Sequence, residues 1–387
     1  MSAWKSVRLH EVATIERNTV AATEIENATI YVGLENIEAG GKFVGVREVD
    51  EGELASNKFA FTDRHVLYGK LRPYLAKIAR PSFGGICSTD ILPVLAGEKL
   101  ERNYLAHFLL QPAMVDFANS RATGANLPRL SPRVLAEFQI PLPPFQEQRR
   151  IAEVLDRADA LRAKRRAVLA HLDSLTQSIF LDMFGDPVAN PKQWPNRELG
   201  SLLTFQQYGP RFYNEAYSED GIRIVRITDL DESGTLRFSD MPRMLVSPED
   251  QSKYVLRAGD LIFARTGATV GKVALIGPDD PPCIAGAYFI TMRFEPTLAE
   301  PAYARAVLTS PSIRAIVVSR SRQAAQQNFS GPGLRELPMP LPPVTLQRDY
   351  IRRINAIETL KITHRAALAE LDALFASLQH RAFRGEL

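Results

Sequence analysis

Apolar residues recur at positions 151, 154, 158, 161, 168, 172, 175 and 179, with Arg165 filling the one polar place in a strict alternation of three and four. That spacing predicts a long helix with a narrow coiled-coil seam. Adding 199 to each number gives Tyr350, Arg353, Ile357, Leu360, His364, Ala367, Leu371, Leu374 and Leu378, a weaker seam of the same kind. Each segment opens on one motif, PLPPFQEQR at 141–149 and PLPPVTLQR at 340–348, and proline is well placed to begin a helix. Pro187, Pro191 and Pro195 stop the first helix from running on. Neither helix buries its stripe alone, so the two are expected to pair with each other. Since each helix trails its own globular segment, antiparallel pairing would put those segments at opposite ends of a rod; the alternative is that each helix packs on its own segment.

Outside the helices the period changes from helical to two. Tyr31-Val32-Gly33-Leu34 answers Ile224-Val225-Arg226-Ile227, both strand candidates, and Lys58-Phe59 answers Lys253-Tyr254. VLYGKLRPYLAKIA at 66–79 aligns without a gap to LIFARTGATVGKVA at 261–274, and Trp4 through Leu9 to Trp194 through Leu199. Gly- and Pro-rich turns lie between. The expected class is therefore α+β: two pseudo-repeated mixed α/β domains, residues 1–145 and 186–343, joined by long helices at 146–185 and 344–387. A pseudo-two-fold object suits a pseudo-two-fold partner, and duplex DNA is the commonest.

Bulk chemistry adds little to this picture. A net charge of +3 permits nucleic-acid binding without arguing for it, because clustering matters more than the sum. Cys87 and Cys283 make neither a disulfide framework nor a zinc cluster. The opening MSAWKSVRLHEV lacks the apolar run of a signal peptide, and no stretch approaches 18 apolar residues, so a soluble, cytoplasmic protein off the membrane is expected. Gly267-Ala-Thr-Val-Gly271-Lys272 has one residue too few for a phosphate loop, and Val273 stands where its Ser/Thr belongs. Asp280-Pro281-Pro282-Cys283 lacks the aromatic ring that an amino-methyltransferase motif requires, and six scattered histidines show no metal-ligand spacing. The chain reads as catalytically empty, with no metal and no cofactor of its own.

What remains is recognition chemistry. Lys70, Arg72, Tyr74 and Lys77 alternate in one run, and Arg265, Thr266, Thr269 and Lys272 take the corresponding place in the second half. A second polar cluster precedes each PLPP motif: Arg121, Thr123, Asn126 and Arg129, then Arg320, Arg322, Gln323, Gln326, Gln327 and Asn328. Lys and Arg neutralise phosphates, Arg also grips guanine, and Asn or Gln reads adenine. For any single residue a solvated loop position is an equal alternative; the class is stronger, since both halves carry both clusters.

The paired PLPP helix starts, the 66–79 and 260–276 runs, GICSTDIL at 85–92 and Phe383-Arg384-Gly385 together resemble the specificity subunit of type I restriction–modification systems, the HsdS family. The resemblance covers nearly the whole chain. It implies two target-recognition domains, each reading one part of a split double-stranded DNA site, with an antiparallel helical spacer setting the gap. It further implies two methylation subunits docked on the helices, carrying S-adenosylmethionine and adenine N6 chemistry, and two restriction subunits as optional ATP- and Mg-dependent members. Gln146, Glu147, Gln148, Arg149, Gln347 and Arg348 at the helix starts are the expected docking residues. Thr345-Leu346 stands where the first copy has Gln146-Glu147, so the second start departs from the pattern. Because the polar clusters differ between halves, two different half-sites and an asymmetric target are expected. The competing class is a stand-alone two-headed DNA-binding regulator without enzyme partners.

Overall fold

A computed structural model describes residues 4–211, 216–231, 234–322 and 328–387. The chain divides into two compact units, Met1–Ala167 with Arg365–Leu387, and Val168–His364. The divisions fall inside the two long helices, Phe145–Phe184 and Val344–Ala382, rather than at their starts.

In the first unit Ser6–Arg8 pairs antiparallel with Gln139–Pro141. A four-stranded antiparallel sheet runs Ala13–Ile15, Ile91–Ala96, His65–Gly69, Ile78–Ala79. A five-stranded mixed sheet runs Thr19–Val20, Lys58–Phe61, Gly85–Cys87, Thr29–Val32, Arg47–Val49, with its parallel pair at Tyr31↔Ile86. The central strand His65–Gly69 is buried throughout because both its faces are covered. Successive side chains point to opposite faces. Val66 and Tyr68 accordingly join a core with Leu105, Phe138 and Leu155, while Leu67 joins another with Val32, Ile37 and Ile91.

The second unit repeats this plan. Asn196–Glu198 pairs with Pro338–Pro340, and the four-stranded sheet runs Leu203–Tyr208, Phe289–Phe294, Leu261–Ala264, Val273–Leu275. Leu261 and Phe263 face one core, Ile262 and Ala264 the other. The second sheet is reduced to Arg243–Met244, Ile222–Val225 and Cys283–Ala285, again with one parallel pair, Ile224↔Ile284. Lys58-Phe59 begins a strand, whereas its counterpart Lys253-Tyr254 ends the helix Pro248–Tyr254, and a single bridge at Val255↔Ile284 survives. Ser247 caps that helix and Pro248 occupies its first turn, which commits the segment to helix.

Buried hydrogen bonds repeat almost atom for atom. The Tyr104 hydroxyl donates to the Pro141 carbonyl and the Tyr303 hydroxyl to the Pro340 carbonyl, each at 2.8 Å. Tyr104 packs on Phe383, and Tyr303 on Phe184, with ring centroids 5.0 and 4.9 Å apart. So each unit holds the start of the helix that follows it in sequence and the end of the other one. Within each unit the two helix segments therefore run antiparallel, as Arg162 beside Asp372 and Asp173 beside Lys361 also show.

The seam itself departs from expectation at some of its alternate positions, whereas Val154, Val168 and Ala367 are half-buried as expected. Ile151, Ala158, Arg165, Leu172 and Ile179 turn inward as expected, and Leu155, Arg162, Leu169, Thr176 and Met183 join them. Leu161 and Leu175 are about half exposed, at 51% and 45%. The second helix repeats the shift: Ile354, Lys361, Leu368, Phe375 and Ala382 turn inward, while Arg353, Leu360 and Leu374 face out. The reason is the long side chains of Arg162 and Lys361. Each lays an apolar stem in the seam and carries its charge to an aspartate, Asp372 at 2.6 Å and Asp173 at 2.8 Å. Arg162 also stacks over Phe375 at 4.3 Å.

Candidate nucleic-acid interface

Two clusters some fifty residues apart in sequence meet on one face of the first unit. After the strand His65–Gly69 the chain turns through Lys70–Ala76, and the loop 121–130 lies against it. Leu130 N–H donates to the Lys70 carbonyl at 2.9 Å, Arg72 N–H to the Pro128 carbonyl at 2.7 Å, and Leu71 forms a bridge with Arg129. Thr123 and Arg129 exchange two backbone hydrogen bonds that close the loop. Pro73 opens a 3-10 turn and disfavours right-handed helix at the residue before it. Arg72 takes the left-handed region at φ +51, unusual for a long side chain. Its guanidinium is exposed, as are Tyr74, Arg121, Asn126 and Arg129, and Arg121 rests over the Phe117 ring at 5.2 Å.

Two findings revise the expected set here. Lys77 is half-buried and its ammonium donates to the Leu34 carbonyl at 2.6 Å, so it braces the turn instead of facing outward. Asp90, which the sequence pattern did not mark, sits among the cations. Its Oδ1 lies 3.1 Å from Arg129 Nε and 3.9 Å from Lys70 Nζ.

The second unit uses the same backbone frame. Phe329 N–H donates to the Arg265 carbonyl at 2.8 Å, and Thr266 forms a bridge with Asn328. Arg265 N–H donates to the Tyr288 carbonyl at 2.9 Å, just as Lys70 N–H donates to the Asp90 carbonyl. The side chains differ. Arg265 Nε donates to Asn328 Oδ1 at 3.1 Å and lies over the Tyr208 ring at 4.6 Å. A cleft of about 1200 Å³ opens beside them, lined among others by Tyr217, Arg226, Arg265, Tyr288 and Asn328. The Thr266 hydroxyl is buried without a hydrogen-bond partner among the described residues. Thr269 donates to the Thr266 carbonyl at 3.2 Å and Lys272 is half-buried, so both belong to the turn. Arg320, on the helix Pro311–Arg322, pairs with Glu336 at 3.4 Å and does not line the cleft. Gln323, Gln326 and Gln327 lie outside the described residues, as does the side chain of Arg322.

The helix starts also need revision. Gln148 and Gln347 are 1% and 0% exposed. Gln148 Nε2 donates to the Lys99 and Pro143 carbonyls, both at 2.9 Å, and its Oε1 accepts from Glu101 N–H at 2.8 Å. Gln347 makes the equivalent three bonds to Leu298, Pro342 and Glu300. These amides fasten each helix to its own unit and offer nothing to a partner. Gln146, Arg149 and Arg348 remain exposed, Arg348 paired with Glu300 at 2.6 Å. Glu147 is half-buried, and its hydrogen bonds to Arg150 hold its carboxyl below the usual carboxylate range.

Among the described residues no His/Cys/Asp/Glu group has the geometry to hold a metal, and no helix is long and apolar enough to cross a membrane. Burial pushes the Cys87 and Cys283 thiols up to about 12, so neither offers a thiolate near neutrality.

The family model described as type I restriction modification DNA specificity domain matches residues 1–171. The type I restriction enzyme EcoDI specificity subunit of Escherichia coli is 30% identical over 186 residues, 47% of this chain and 41% of that protein. The EcoBI specificity subunit, also of Escherichia coli, is 25% identical over 328 residues, 75% of this chain and 66% of that protein. The matched regions thus span from about two fifths to about two thirds of these relatives. The solved S subunit of the type I restriction–modification system of M. genitalium shares the fold, with a TM-score of 0.63 over 99% of this chain and 96% of that one at 12% identity.

Proposed function

We propose that this chain, which belongs to the family of type I restriction–modification specificity subunits, is a non-catalytic component that addresses such a complex to an asymmetric, split DNA site. Each unit reads one half-site, the first through Arg72, Arg129 and their neighbours, the second through Arg265, Asn328 and the cleft beside them. The observation that carries this reading is one backbone frame used twice with different chemistry. An exposed cationic turn stands at the first face, and an arginine held between Asn328 and the Tyr208 ring stands at the second. Two faces of unlike chemistry read unlike sequences.

The paired helices set the gap between half-sites and dock two methylation subunits, with restriction subunits as further members. S-adenosylmethionine, ATP and Mg belong to those partners, and the complex works on DNA in the cytoplasm. The exposed Leu161, Leu175, Leu360, Ile362 and Leu374 favour protein docking over a stand-alone DNA binder, because such side chains gain by being covered. The test is a genome-wide map of N6-methyladenine with and without the gene. Loss of one asymmetric bipartite motif is expected; a palindrome or an unchanged map would count against the reading. Inserting one heptad in the central helix should lengthen the gap and leave both half-sites intact.

A further inference from the structure

The structure assigns Asp90 as a specificity-determining residue of the first unit, an assignment that rests on the DNA-reading role proposed above. A carboxylate on a face that approaches phosphates is repelled by them, so its presence there requires a compensating contact. Asp90 lies in the GICSTDIL turn at 85–92, beside the strand end that carries Lys70, and its side chain is 26% exposed. Its backbone carbonyl accepts from Lys70 N–H at 2.9 Å, which ties it to the turn carrying Arg72.

The two carboxylate oxygens are used differently. Oδ1 takes both cations, Arg129 Nε at 3.1 Å and Lys70 Nζ at 3.9 Å. Engaging Arg129 through Nε leaves its two terminal amino groups free to donate forward, the geometry a bidentate contact to guanine or phosphate needs. No described residue donates to Oδ2. An ionised carboxylate is an acceptor only, so at a base edge Oδ2 takes an exocyclic amine, N4 of cytosine or N6 of adenine. It turns away guanine O6 and thymine O4, which are acceptors themselves. The equivalent backbone place in the second unit holds Tyr288, a phenol in place of a carboxylic acid, 58% exposed. The two half-sites therefore differ in kind at this position.

The test compares methylated motifs and DNA binding of the complete complex for wild type, Asp90→Asn and Asp90→Glu. Asp90→Asn presents an amide that donates as well as accepts. It is expected to admit further bases at one position of one half-site, with discrimination there falling between about five- and a hundredfold. Asp90→Glu keeps the charge but displaces the oxygens, so it should weaken the same position with an unchanged salt slope. It serves as the readout if the Asn variant melts early. A motif unaltered by both substitutions would overturn the assignment. So would uniformly tighter binding to every sequence, which marks simple loss of repulsion. The wild-type map comes first. If no motif depends on the gene, the DNA-reading role itself fails; an intact wild-type motif indifferent to Asp90 removes this assignment alone.

Discussion

Arg72→Gly separates backbone strain from DNA readout, because the protein supplies its own reference for the substitution. Arg72 sits at φ +51, and the equivalent residue of the second unit, Gly267, sits at φ +67 in the same turn. Holding an L-residue in the left-handed region costs roughly 1–2 kcal/mol. Glycine adds about 0.4–1 kcal/mol of unfolded-chain entropy in return. The Arg72 side chain is exposed, and the backbone bond to Pro128 survives the change. The net effect is a folded state about as stable as wild type, or more stable by up to roughly 1.5 kcal/mol. Binding should move the other way. Loss of a base contact costs about 1–3 kcal/mol at one position, whereas loss of a phosphate contact weakens all sequences and lowers the salt slope by about one. Urea unfolding and anisotropy titrations at several salt concentrations read both effects. Arg72→Ala, which keeps the strained backbone, should lose binding without the gain in stability. Unfolding easier by more than about 1 kcal/mol in Arg72→Gly would refute the strain accounting. Wild-type affinity at every salt concentration would refute the contact.

Gln148→Ala strands two carbonyls and one amide N–H in a buried site, so a loss of roughly 2–4 kcal/mol is expected in thermal unfolding, with the exposed Gln146→Ala near neutral. A double-mutant cycle on Arg162 and Asp372 should give a coupling of about 1 kcal/mol that shrinks as salt rises; a coupling of zero would mean the pair does not hold the helices. Burial pushes the Asp156 carboxyl up, but hydrogen bonds from His107 and Arg80 more than reverse this, leaving it below the ordinary aspartate range. A lowered carboxyl contributes stability above its unfolded value of about 3.9 and loses it as pH falls through its folded value. Asp156→Asn should therefore flatten the acid side of a melting profile taken between about pH 2 and 5; an unchanged slope would deny the pair that role.

The repeat made much of this architecture legible from sequence, because a duplicated chain states its domain plan twice. The long helices begin at the proline motifs, and the second ends at Ala382 instead of running to 387. The two polar clusters of the first half meet at Leu71–Arg129, and in the second half Thr266 meets Asn328. The misses share one cause: residue type does not fix which way a side chain faces. Leu161 and Leu175 outweighed Arg162 and Thr176 in the pattern, yet a long stem with a charged tip fills a seam as well as leucine does. Gln148 reads as surface until the carbonyls of Lys99 and Pro143 are seen to surround it. Asp90 carries the wrong sign for a DNA signature, and only its position between Lys70 and Arg129 reveals it.

The same two cations bear on how the helices keep their register. Arg162 and Lys361 stand 199 residues apart, as do their partners Asp173 and Asp372, so one ion pair is made twice. A purely apolar stripe of heptads tolerates a slip of seven residues, since each slipped position meets another apolar one. These cations do not. A slip in one direction brings Arg162 opposite Arg365 and Lys361 opposite Arg166, two like-charge encounters. The opposite slip brings Arg162 to Gln379 and Lys361 to Phe180, leaving each cation only the acid of its own helix, Asp159 or Glu358, and none on the facing one. Polar seam residues of this kind give up some stability to exclude wrong registers. For a pair of helices proposed to fix the distance between two half-sites, a single permitted register matters more than the last increment of stability.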